Sequence, residues 1–87
     1  MAEFNAAHLS AVGYANGFTL WHYRTEDSAV DLEEPGYFND AHKMMRAGDF
    51  IAVNGHTIDG RPGHAMLVVT RSTADGVETM VGMRVQP

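Results

Sequence analysis

At 87 residues and 9.5 kDa the chain is long enough for one domain, and it contains no cysteine. Thiolate nucleophiles, CxxC redox pairs, disulfides and thiolate zinc sites are therefore excluded. Eleven acidic residues against six basic ones give a formal net charge of −5 with His neutral, which opposes sequence-independent binding to DNA or RNA.

Area scaling sets the folded surface near ~5,000 Å² and burial on folding near ~63%, enough for one thin core. Because 45% of the residues are apolar, some apolar side chains are left over, and a partner surface is one place for them. The longest apolar run, residues 65–69, is too short to span a membrane. The N-terminus lacks the basic start and apolar run of a signal peptide, so a soluble product outside the general secretory route is expected.

Residues 1–16 are rich in Ala, Asn and Ser, with widely spaced Phe4, Leu9, Val12 and Tyr14. That spacing fits neither a helix face nor clean alternation, and reads as an extended N-terminal arm or a frayed terminus. Residues 17–87 form the compact domain. Phe18-Thr19-Leu20-Trp21-His22-Tyr23-Arg24 is dense in aromatic and β-branched residues and predicts a strand. Residues 25–36 carry five acids and end in Pro35-Gly36, predicting an exposed loop with a short extended piece over residues 29–32. Asn39 as N-cap, Asp40 in the first turn, Ala41, Met44 and Met45 at helical spacing and Gly48 as stop predict one short helix.

Further strands are predicted over residues 49–54, 64–70 and 77–85, with a polar loop between 54 and 63 and a hairpin turn at Asp75-Gly76. The fold class is mostly β or α+β: a small curled antiparallel sheet or barrel of four or more strands with one short helix. In the last strand Val77, Thr79, Val81, Met83 and Val85 make one face. The first is apolar on both, with Phe18 and Leu20 opposite Trp21 and Tyr23. The third is too, with Met66 and Val68 opposite Leu67 and Val69. Either the sheet closes with loops packed over it, or a second chain covers part of it. Aromatics and Met are enriched at interface centres, which favours Trp21, Tyr23 and Met66 as contact residues.

Catalytic signals are weak. Five histidines (His8, His22, His42, His56, His64) match no ligand spacing, although His22 and His64 could meet across neighbouring strands. Ser10, Ser28 and Ser72 stand in no GxSxG elbow. Asp31, Glu33, Glu34 and Asp40 lack calcium-loop spacing and read as a solvated loop. No catalytic residue, no cofactor and no metal ligand is assigned; a hydrolytic or metal site on His22, His64 and Asp49 is the remaining enzymatic possibility.

The runs Gly17-Phe18-Thr19-Leu20-Trp21-His22-Tyr23-Arg24 and Pro35-Gly36-Tyr37-Phe38-Asn39-Asp40-Ala41 are distinctive. With Met45-Arg46-Ala47-Gly48-Asp49-Phe50-Ile51 and Met66-Leu67-Val68-Val69, they resemble a family of small virion structural proteins. Tailed bacteriophages, prophages and gene-transfer particles encode this family. The resemblance implies a non-enzymatic protein, located in the virion after assembly in the bacterial host cytoplasm. It would decorate or cement the capsid exterior, or form the base of a head fibre. Its partners would be the major capsid protein or a neighbouring virion protein, together with further copies of itself, a trimer being favoured. Neither nucleic acid nor membrane is an expected partner. Phe4, Leu9, Trp21, Tyr23, Tyr37 and Met66 are the expected interface residues. The alternatives are a tail or adaptor component, or a module binding host-surface glycans by stacking Trp21, Tyr23 or Tyr37 on sugar rings.

Overall fold

Five extended runs build one mixed sheet. The computed structural model describes residues 3–58 and 60–85. Among them the strands are β1 (Leu9–Ala15), β2 (Phe18–Arg24), β3 (Phe50–Ile58), β4 (Arg61–Thr73) and β5 (Gly76–Val85). They lie side by side in chain order, β1-β2-β3-β4-β5, and the sheet does not close into a barrel. The small curled sheet is thus as expected. One ladder departs from the antiparallel expectation: β2 and β3 run parallel, Leu20 opposite Phe50 and Tyr23 opposite Val53. A parallel pair requires a long crossover, and residues 25–49 supply it.

The N-terminal segment is not a free arm over its second half. β1 pairs antiparallel with β2, Leu9 opposite Tyr23 and Ala11 opposite Trp21. The two-residue turn between them has positive φ at both Asn16 (51°) and Gly17 (91°), the signature of a type I′ hairpin.

The short helix lies elsewhere than expected. α1 spans Ala29–Glu33, where the Ser28 hydroxyl accepts from the Asp31 N–H and Leu32 is buried. Residues 39–48 form only a 3₁₀ turn, Asn39–Ala41, followed by further tight turns. Asn39 does not cap a helix. Its side-chain oxygen accepts from the Val77 N–H at 2.9 Å and ties the crossover to β5. The expected loop at residues 54–63 is instead mostly strand. β3 and β4 run on past a bulge between Asn54 and Thr57, where Gly55 takes φ +88°. A Cβ at Gly55 would stand 2.8 Å from the Thr25 carbonyl oxygen, so glycine is required there by space as well as by φ.

The core lies between one face of the sheet and the crossover. Tyr23, Ile51, Val53, Leu67, Val69 and Val77 project from the strands, and Leu32, Phe38, Ala41 and Met45 from the crossover; all are buried. The crossover covers that face alone.

Candidate functional site: the open face of the sheet

Cross-strand partners share a face, so the register fixes what the uncovered side presents. One row runs Leu20, Phe50, Val68, Met80 across β2 to β5. The next runs His22, Ala52, Met66, Met83. Phe18 leans on Phe50 with ring centroids 5.4 Å apart. Phe50 retains 36% of its surface, Met83 59% and Met80 66%, while Phe18, Leu20, Met66 and Val68 are half-buried. Four adjacent strands therefore carry a contiguous apolar surface to solvent. Contiguous patches of this kind mark interaction sites more often than scattered apolar residues do.

Both ends of the patch are polar. At one end Arg71 and Glu78, opposite each other on β4 and β5, form an exposed ion pair at 3.5 Å. At the other, Asn54 joins two histidines: its amide nitrogen donates to His22 Nε2 at 2.8 Å, and its amide oxygen accepts from His64 Nδ1 at 2.6 Å. The amide thereby sets both tautomers, the lone pair of His22 Nε2 being used by Asn54. With Arg24, Glu26, Gly55 and Pro62 these groups line an open cleft of about 510 Å³. His22 and His64 do approach across the sheet, bridged by Asn54 rather than converging on a common point. Among the described residues no three His, Asp or Glu side chains gather as a metal site.

Of the six residues expected at an interface, Met66 lies on the open face. Tyr23 is corrected: it is fully buried in the chain's own core. Phe4, Leu9, Trp21 and Tyr37 are partly buried against that same core. Phe4 stacks on Tyr23 at 5.3 Å and meets Phe38 edge-on at 5.6 Å. A directed chain of hydrogen bonds runs behind these rings. The Asn5 N–H donates to the Tyr23 hydroxyl at 3.0 Å, Tyr23 to Tyr37 at 2.9 Å, and Tyr37 to Asp27 at 2.5 Å. Tyr37 has one proton and gives it to the carboxylate, so Tyr23 is the donor between the phenols. Burial, and then this bond to Asp27, holds the Tyr37 phenol far above its usual range.

The remaining enzymatic set is likewise dispersed. Asp49 is buried, and its carboxylate accepts from the Thr19 N–H (2.9 Å), the Trp21 indole N–H (3.0 Å) and the Arg46 N–H (3.0 Å). It is committed on the covered side with Trp21, while His22 and His64 belong to the open one. Glu33 and Glu34 line a shallow cleft of about 520 Å³ against the β4–β5 hairpin, and Asp40 lines a different one beside Phe4. The open face leaves a partial signal in the sequence, the two-sided apolarity of β2 and β4; the bulge that turns Met83 to the side of Met80, away from Val81 and Val77, leaves none. Searches against family models, curated proteins and solved structures give no significant match, and the resemblance to virion proteins has no counterpart among them.

Proposed function

We propose that the chain is a non-catalytic structural component of a repeating protein assembly, working through contacts made by the open face of its sheet. The observation that carries this reading is the uninterrupted row Leu20, Phe50, Val68, Met80, solvent-facing across four strands. An apolar centre with polar ends is the anatomy of a protein interface. The resemblance in sequence supplies the assembly: a tailed-phage virion, with this protein decorating or cementing the capsid exterior or forming the base of a head fibre as a homo-oligomer. Its partner there is the major capsid protein or a neighbouring virion protein. Many copies, each weakly held, reinforce such a lattice through effective concentration. The net charge of −5 suits an outer surface better than one facing packaged DNA. The glycan-binding alternative needs an open Trp21 ring, and that indole is half-buried with its N–H on Asp49.

The test is sedimentation of purified virions with added protein. The wild-type chain is expected in the particle pellet, and the folded Met80→Asp variant in the supernatant. Wild-type protein that stays wholly in the supernatant would overturn the virion assignment.

A further inference from the structure

We infer that the occupant of the open face is a second copy of this chain, packed sheet against sheet about a two-fold axis. This rests on the proposed structural role and names the contact within it. Two observations single out the second copy. The first is charge. Asp27, Asp31, Glu33, Glu34 and Asp40 all lie between β2 and β3, in the crossover that covers the other face, while Glu26 stands in the cleft at the His22–His64 end of the open one. Two copies of a molecule with net charge −5 meet acid to acid through that side. The two central rows of the open face carry no acid and no fixed cation.

The second is area. The four strands β2 to β5, ~4.8 Å apart and averaging nearly ten residues at ~3.3 Å per residue, span a plane of roughly 600 Å². Two such planes bury ~1,200 Å² in projection, above the ~1,000 Å² that a specific interface requires. Aligned packing of two twisted sheets ~10 Å apart yields a closed sandwich with the Phe50 and Val68 rows inside. This arrangement is two-fold, in place of the three-fold oligomer expected from the sequence.

The absence of cysteine makes the contact directly readable. Ala52→Cys places a thiol on the central strand of the open face, and Glu34→Cys places one on the crossover side. With a short bis-maleimide, Ala52→Cys is expected to give a covalent dimer at tens of micromolar while Glu34→Cys stays monomeric. Sedimentation velocity of the wild-type chain is expected to give twice 9.5 kDa, halved by Phe50→Glu and, independently, by Met80→Asp, with unchanged far-UV circular dichroism. A wild-type monomer, or a dimer that survives both substitutions, overturns the inference. A monomer that still pellets with virions overturns this inference alone and leaves the structural role standing. A dimer that ignores virions does the reverse.

Discussion

The Asp49 carboxylate answers three donors at once, two backbone N–H groups and the Trp21 indole. Asp49→Ala leaves all three without their acceptor in a buried setting, at about 1–3 kcal/mol for each donor that water cannot reach. A loss of about 3–5 kcal/mol in urea denaturation is expected, enough to unfold much of a marginal domain. Tyr37 makes a separate prediction. Its folded-state pKa is raised above that of an unfolded tyrosine, near ~10. Below ~10 both states hold the proton and the contribution to stability is complete. Above ~10 the unfolded chain ionises while the folded one does not, so stability falls as pH rises. Thermal melts from pH 8 to 11.5 are expected to hold level to about 10 and then drop, with a shallower drop in Tyr37→Phe. Neither residue announces this in sequence, since their partners stand up to 30 positions away.

At the level of elements, two polar side chains decide where the crossover coils. Ser28 caps α1 through the Asp31 N–H, and Asn39 holds β5 through the Val77 N–H. Ser28→Ala is expected to cost about 1 kcal/mol through the lost cap. Asn39→Ala is expected to cost about 1–2 kcal/mol by leaving the Val77 N–H without its acceptor; chemical denaturation of the two variants measures both. Asn39 has every local mark of an N-cap, and the long-range bond to Val77 overrides it. β2, β3, β4 and β5 were legible because β-branched and aromatic residues cluster there. The parallel β2–β3 ladder was not, because an apolar strand carries no record of its neighbour's direction. Alternation told which residues share a face; it could not tell which face the crossover would cover. The crossover covers the Trp21 and Tyr23 side and leaves the Leu20 and His22 side open.

Taken whole, the molecule is lopsided. A folded surface of 5446 Å², against ~5,000 Å² from scaling, fits a sheet with one face left open. Most acids of the crossover stand on the covered side and the apolar rows on the other, with Glu26 and Glu78 at the two ends of the open face. That division was foreshadowed by the arithmetic of 45% apolar residues in a chain too short to bury them. Its location needed the register. Salt should therefore affect the two sides differently: self-association through the apolar rows is expected to persist at 1 M NaCl, where exposed pairs such as Arg71–Glu78 are screened to ~3 Å. Light scattering at 0.1 and 1 M salt checks this.

The parallel ladder also divides the chain in time. β1–β2 is a local hairpin and β3–β4–β5 a local meander, while β2–β3 joins residues about 30 apart. Closing that ladder requires ordering the whole crossover first, and loop-closure entropy delays it relative to the local turns. The β2–β3 ladder is therefore expected to close after the local hairpin and meander contacts.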